Sequence, residues 1–477
     1  MSRMQLTLLR YSDTNWYRWV VFATVVSGTF MVNVDSSIVN VALPVLERDF
    51  HAGPEVLQWV ISSYLLMITG VLPIVGGLSD RLDRKVVFMA GVGIFTVGSI
   101  LCALSDSILQ LILFRIFQSI GGAIIMGNVM SIVSHIFPTG KRGRPLGLVG
   151  SVVAAGTIVG PSLGGILISL YSWRAIFWVN LPIGLISFAT SAFVLMAIRS
   201  NKPLHRFDTL GAGLFFIGIV CLMLFISEGP KWGWRGIQSI LEITVSSISL
   251  SGFIWRELKA HNPVIELPLF RSGAFTLGNL TGYLSYVVMM FPGILLPLYM
   301  HDVLQIPTAH IGLLLTPQAI CMIIFSPVGG WFADKFGTNW PATTGFLFAT
   351  LGLGLMSMLN TASSYVDIVI ALSVFGLGMG LFTSPNNVSV LESVPIEKSG
   401  LTGSLMATVR NFGRVSGVAI SVLLLQISGS DLKTIQGFTH AFSFAFKIVV
   451  VIGVIGTFLT IIRFTVHRKI RQPSDGL

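Results

Sequence analysis

Fourteen segments of this chain run apolar for about twenty residues each before polar residues interrupt them. They lie near 19–42, 56–77, 86–104, 108–133, 146–170, 175–197, 208–227, 237–255, 272–298, 309–332, 341–359, 366–389, 401–425 and 442–463. At a rise of about 1.5 Å per residue, each can carry a helix across a hydrocarbon core about 30 Å thick. That core offers an open backbone no hydrogen-bond partners, so spanning segments are helices or strands of closed barrels, and strands need only about 9–11 residues. Runs of this length select helices, and the expected fold class is an all-α membrane protein. Composition agrees, with 10% charged residues against about 25% in soluble domains. The first segment follows Arg3, Arg10 and Arg18. It exceeds the roughly 7–15 residue core of a signal peptide and lacks a small-x-small cleavage site, so it is expected to remain as the first helix. Cys102, Cys221 and Cys321 fall in apolar segments without ligand or disulfide spacing and read as small core residues.

A net charge of +10 raises nucleic-acid binding as an alternative, which the positions of the basic residues exclude. If the segments alternate from an inside N-terminus, the inner connections hold Arg3, Arg10, Arg18, Arg81, Arg84, Lys85, Lys141, Arg142, Arg144, Arg199, Lys202, Arg206, Arg256, Lys259, Arg271, Lys335, Lys398, Arg463, Arg468, Lys469 and Arg471. The outer ones hold only Arg48, Arg174, Lys231, Arg235 and Lys433. Cytoplasmic loops retain positive charge. The bias therefore predicts a multi-pass protein of the plasma or inner membrane with both termini cytoplasmic.

The chain also repeats itself. VGGLSDRLDRK at 75–85 follows the second segment and VGGWFADKFGT at 328–338 follows the tenth, aligning Asp80 with Asp334 and Arg81 with Lys335. Two parallel six-helix halves would place the recurrence after the eighth segment, so two helices are inserted between them. The expected organisation is an N-terminal six-helix bundle over 1–200, two inserted transmembrane helices over 201–260 and a C-terminal six-helix bundle over 261–477.

Five motifs identify a family. DSSIVNVALP (35–44), GGLSDRLDRK (76–85), RIFQSIGGA (115–123), GTIVGPSLGG (156–165) and WRAIFWVNLPIG (173–184) together resemble the major facilitator superfamily, specifically its fourteen-helix drug:proton antiporter group. The likeness covers almost the whole chain and implies the major facilitator fold and alternating access. It also implies that a proton gradient is the energy source, with no cofactor. The chain departs from the family pattern at Asp83, where glycine is usual, and at Ser119, which replaces a glycine in the fourth segment. These put the turn geometry and the helix-four packing in question.

Asp35 and Arg115 each lie about seven residues from the outer end of their segments, or roughly 10 Å deep, so they are candidates for a pair or for a cluster with Gln118 and Asn33. A charge at the bilayer centre costs about 2.5–3.5 kcal/mol on insertion scales and usually faces a partner or a cavity. Asp35 can bind and release a coupling proton as its surroundings change, with Arg115 tuning it; a static buried ion pair is the alternative. The resemblance implicates the matching aspartate in coupling. Asn33, Asn40, Gln118, Arg410 and Asn411 are candidates to line a substrate cavity.

Gly156, Gly160 and Gly164 recur at four-residue spacing beside Pro161 and Gly165, as a hinge or seal in the conformational cycle or as ordinary small-residue packing. By resemblance, Asp80, Arg81, Arg84 and Lys85, with Asp334 in the second copy, form a cytoplasmic gating loop; a solvated loop is the alternative. Arg410 and Arg414 stand one turn apart. They can attract an anionic cargo group or pair with a carboxylate such as Glu392. Glu242 and Lys447 lie near segment ends and can snorkel to water.

No G-x-x-x-x-G-K-[ST] loop is present to hold ATP, the histidines form no metal-ligand set, and no long polar stretch can house an enzyme's active site. The expected function is therefore a monomeric secondary transporter, not an enzyme, exporting amphipathic, drug-like, apolar or cationic compounds in exchange for protons. A dedicated exporter or importer of a single, anionic metabolite is the runner-up. A non-transporting membrane sensor is the alternative of another class.

Overall fold

The computed structural model describes residues 14–195, 208–260, 263–431 and 434–471. Of the basic residues counted above, Arg3, Arg10, Arg199, Lys202, Arg206 and Lys433 lie outside the described residues. The first six helices are α1 (Asn15–Phe50), α2 (Pro54–Ser79), α3 (Arg84–Ala103), α4 (Ile108–Ile136), α5 (Gly143–Leu170) and α6 (Ala175–Val194), the last broken once at Val179. There follow α7 (Thr209–Trp232), α8 (Ile237–Lys259), α9 (Gly273–Asp302), α10 (Thr308–Phe336), α11 (Asn339–Ser357), α12 (Tyr365–Glu392), α13 (Ser399–Ile427) and α14 (Ile435–Arg471). Thirteen of these are long and apolar enough to cross a membrane. The other, α11, has 19 residues, opens on the polar Asn339, and packs between α12 and α14 as a further span. All fourteen expected segments are therefore helices, in an all-α membrane protein of two six-helix bundles plus two helices, and no strand occurs among the described residues.

The helices overrun the apolar windows because an α-helix continues wherever its ends are capped, whereas hydropathy registers only the part in hydrocarbon. At the start of α1, Thr14 accepts from the Tyr17 N–H, and at α12 Ser364 and Asp367 form a reciprocal capping box. Asp83 is the N-cap of α3, its Oδ1 accepting from Lys85 N at 3.0 Å, so the departure from glycine supplies a cap and strains no turn. In the second copy Gly337 closes α10 with φ 83°, a conformation that favours glycine. The overrun corrects one assignment. Arg463 is not a loop residue but lies inside α14, 1% exposed, donating to Asn386 Oδ1 at 2.6 Å.

Helices α1–α6 enclose an apolar core around Phe88, Phe95, Ile125 and Ile132, and α9–α14 enclose another around Phe291, Tyr299, Phe375 and Phe446. Helices α7 and α8 pair with each other, and α7 docks on α2 and α13. Gly70 makes room there for the Phe216 ring, and Phe215, Phe253, Val390 and Leu401 share a cluster across the junction. The inserted pair thus braces the groove where the two halves meet. Outward faces carry exposed Leu241, Ile248 and Phe458, the apolar surface that a bilayer covers.

The halves touch mainly through α5 against α10 and α12, and through α2 and α4 against α13. These contacts concentrate at the ends bearing the Asp80 and Asp334 loops, called here the basic face. A Cβ on Gly143 would meet the Gly330 carbonyl, and one on Gly147 or Gly150 would meet Ser326. The close approach at this face therefore depends on small residues.

Candidate functional site

Asp35 of α1 and Arg115 of α4 meet as the depth argument expects, with Arg115 Nη1 2.5 Å from Asp35 Oδ2 and side-chain exposures of 1% and 0%. Helix α1 projects to Phe50, well beyond its apolar window, so depth measured from that window placed the pair correctly. Asp35 Oδ1 accepts from Gln118 Nε2 at 2.9 Å and from Asn180 Nδ2 at 2.7 Å. Both amides also reach Ser99 Oγ, at 2.7 and 3.2 Å. Arg115 is held further by Gln118 Oε1 at 2.7 Å, by the Val60 carbonyl at 3.4 Å and by the Tyr64 ring 3.9 Å away. Three neutral donors and acceptors and the rings of Tyr64 and Phe177 therefore surround a single ion pair. That saturation is what makes a buried pair tolerable.

Asn180, Ser99 and Tyr64 were absent from the expected set. Asn180 had a signal, as a lone amide within WRAIFWVNLPIG at the start of an apolar span. Ser99 and Tyr64 had none, because a hydroxyl in a spanning helix commonly bonds its own backbone.

Between the halves lies a cavity of about 580 Å³. Its walls come from α5 (Val153, Thr157, Pro161), α9 (Tyr286, Met289), α10 (Leu315, Gln318, Met322), α12 (Asn387) and α13 (Arg410, Arg414), with Met130 of α4 beneath. Ser326, in the seam with Gly147 and Gly150, also lines it, so the cavity sits on the far side of the basic-face contact.

Of the five side chains expected along this cavity, the structure places Arg410 there and corrects the other four. Gln118 is turned into the first bundle, on Asp35. Asn33 bonds the Thr29 carbonyl of its own helix at 2.8 Å and packs on Gly156. Asn40 is exposed and bonds the Ser37 carbonyl at 3.2 Å. Asn411 is buried within the second half. Arg414, by contrast, does line the cavity, and both arginines lie over Tyr286, 5.9 and 5.4 Å from the ring centre. The suggested partner Glu392 instead accepts from Gly140 N at 3.4 Å.

The glycine stripe of α5 packs closely on α1 within the first half. Cβ atoms at Gly156, Gly160 and Gly164 would strike Asn33, Ser37 and Ile38 of α1, whereas Gly165 faces open space. Helix α5 therefore presents its stripe to α1 and, with Pro161, another face to the cavity.

The two repeat loops act across the halves. Asp80 accepts from Gly400 N at 2.9 Å and Leu401 N at 2.8 Å, in the first turn of α13. Asp334 accepts from Gly143 N at 2.7 Å and Arg144 N at 3.0 Å, in the first turn of α5. In each case a carboxylate at the C-terminal end of the second helix of one half seats on the positive end of the fifth helix of the other. Arg84 steadies Asp80 at 3.0 Å and reaches His135 Nε2 at 2.7 Å, while Arg81 is partly buried beside them. Burial pushes the Asp80 carboxyl up from its ordinary value, while the Leu401 and Gly400 amides and Arg84 pull it back. Lys85 is corrected, because its Nζ donates to the Ala192 carbonyl of α6 at 2.6 Å, within its own half. Ser119 bonds the Ile116 carbonyl at 2.6 Å and is fully buried without breaking α4.

Comparison with known proteins bears on this geometry. The family description "Major Facilitator Superfamily" matches residues 25–418 and 278–475. The chain is similar to the riboflavin transporter RibZ of Clostridioides difficile, 34% identical over 403 residues that cover 84% of this chain and 87% of that protein. It is similar also to the multidrug resistance protein Stp of Mycobacterium tuberculosis, 32% identical over 407 residues covering 84% and 75%. Its fold matches the crystal structure of the human organic anion transporter MFSD10 with a TM-score of 0.69 at 14% identity, covering 93% of this chain and 99% of that one.

Proposed function

The chain belongs to the Major Facilitator Superfamily, and from that premise we propose that it is a fourteen-helix secondary transporter that exports amphipathic small molecules in exchange for protons. The observation that carries this reading is the Asp35 cluster, a titratable group sealed inside the first half while the basic face is latched and the cavity lies on the other side. With the basic face cytoplasmic, as its loop charge suggests, this is the outward-facing arrangement, and both termini are cytoplasmic.

Helix α5 links the two events. One face lines the cavity through Val153, Thr157 and Pro161, and the glycine stripe beside it packs on Asn33, Ser37 and Ile38, the α1 residues flanking Asp35. When the halves rock, α5 tilts and drags the α1 wall with it. Asp35 then exchanges Arg115, Gln118 and Asn180 for water and takes up or releases its proton. The closed latch holds the opposite limit: its two carboxylates bond helix ends that separate when the basic face opens. One charge moved through 100 mV is worth about 2.3 kcal/mol, and each tenfold cargo ratio costs about 1.4 kcal/mol, so a single proton sustains roughly a 40- to 50-fold gradient.

Everted vesicles test the reading. Asp35→Asn is expected to insert normally and to lose cargo-induced proton release; unchanged release would falsify the assignment. A second reading, a carrier dedicated to one metabolite, draws support from the paired Arg410 and Arg414 in the cavity and from the relative named as a riboflavin transporter. Growth protection against several unrelated toxic compounds favours the multidrug form, and protection against none of them favours the dedicated one.

A further inference from the structure

We propose that the central cavity selects aromatic amphipathic compounds carrying an acidic group, and that Arg410 and Arg414, arrayed over Tyr286, form the subsite for that group. The proposal rests on the transport reading only in taking this cavity as the cargo site.

The two guanidiniums project from successive turns of α13 toward one ring, 5.9 and 5.4 Å from its centre. Their Nε atoms are buried without a hydrogen-bond partner among the described residues. No carboxylate lines the cavity, and among the described residues neither arginine is in an ion pair. Two like charges one turn apart repel, and guanidiniums within the membrane-spanning region are costly until a counter-charge arrives. A carboxylate, sulfonate or phosphate meets that need, since a guanidinium fork bonds such groups in two places at once. The rest of the wall suits the apolar body of the same molecule. Met130, Met289 and Met322 offer adaptable, polarisable surface, and a volume of about 580 Å³ is in the range for drug-sized ligands.

Positive character continues toward the basic face. Arg410 also borders a small recess lined by Asn279 and Asn386. Behind Asn386 lies Arg463, whose Nε and Nη2 have no hydrogen-bond partner among the described residues. Asn386 therefore stands between the recess and the buried Arg463 guanidinium.

Equilibrium dialysis of the purified full-length protein in detergent, without any gradient, tests the subsite with three probes of one shape: 2-naphthoate, its methyl ester and the naphthyl trimethylammonium cation. The acid is expected to bind at least about tenfold more tightly than the ester, with the cation weakest. Replacing both arginines (Arg410→Gln with Arg414→Gln) should weaken the acid about 10- to 100-fold and change the ester less than about threefold. Arg410→Lys with Arg414→Lys should fall between, because charge survives without the planar fork. Equal binding of acid and ester by the unaltered protein, equal losses for all three probes, or no naphthoate binding below about 1 mM would overturn the proposal. The comparison within the unaltered protein stands even if a variant fails to fold. Asp35→Asn should leave the acid-to-ester ratio unchanged, so a failure of proton coupling and a failure of anion selection are read separately.

Discussion

Each half of the molecule buries arginine, and the two halves treat it in opposite ways. In the first, Arg115 meets a carboxylate, an amide oxygen, a backbone carbonyl and an aromatic face, and Asp35 is met in turn by Gln118 and Asn180. In the second, Arg463 has one amide oxygen, and Arg410 and Arg414 share one tyrosine ring. A saturated pair changes only when a proton or the whole surrounding packing changes. Under-satisfied cations respond to whatever anion diffuses in. The same residue type therefore serves, on this account, to tune a proton site in one bundle and to receive cargo in the other.

The contrast can be broken most decisively at the pair itself. Asp35→Ala strands a guanidinium that cannot shed its charge, and should cost about 3–5 kcal/mol. Arg115→Ala should cost less, because an isolated carboxyl can take a proton. Thermal unfolding of the purified protein in detergent compares them, and equal losses would mean that the pair is not the saturated unit described here. The next effect belongs to the latch. Asp80→Asn weakens two charge-assisted backbone bonds worth about 1.5–3 kcal/mol each, and spin-label distances between the basic ends of α2 and α13 should lengthen. Asp334→Asn should shift α5 and α10 less, since Asp334 is more exposed.

A steric probe comes third. Gly330→Ala drives a methyl group into the Gly143 carbonyl, an overpacking of about 1–3 kcal/mol against the closed basic face. A cysteine placed in the α5–α10 seam should then react faster with a soluble thiol reagent. The smallest effect sharpens the comparison from the other side. Arg463→Met should be neutral or mildly stabilising in thermal unfolding, because no carboxylate among the described residues is left unpaired by it; a loss as large as that of Asp35→Ala would show that the second half conceals a partner.

Sequence periodicity and charge made the helix count, the repeat and the meeting of Asp35 with Arg115 legible, because each depends on position along the helix axis. What they left unread is rotation about that axis. Lipid and protein interior are both apolar, so a spanning helix carries little pattern to say which face turns inward. Gln118, expected in the Asp35 cluster or along the cavity, joins the cluster, whereas Asn33, expected in the same places, bonds its own helix. The stripe of Gly156, Gly160 and Gly164 announced close packing correctly but not its partner, which is α1 and not the opposite half. Arg463 read as a loop charge because hydropathy stops where hydrocarbon stops, while α14 continues to Arg471. Asn180 was visible as an amide in an apolar run, yet only the bundle brings it 2.7 Å from a carboxylate.

The division of labour between the halves is tested most directly by counting protons moved per cargo molecule in proteoliposomes, for the unaltered protein, Asp35→Asn and the Arg410→Gln/Arg414→Gln pair. The account predicts that Asp35→Asn drops the ratio to zero with cargo still bound, and that the arginine pair keeps the ratio while transport of acidic cargo slows. An unchanged ratio in Asp35→Asn, or a ratio that collapses in the arginine variant, would contradict it.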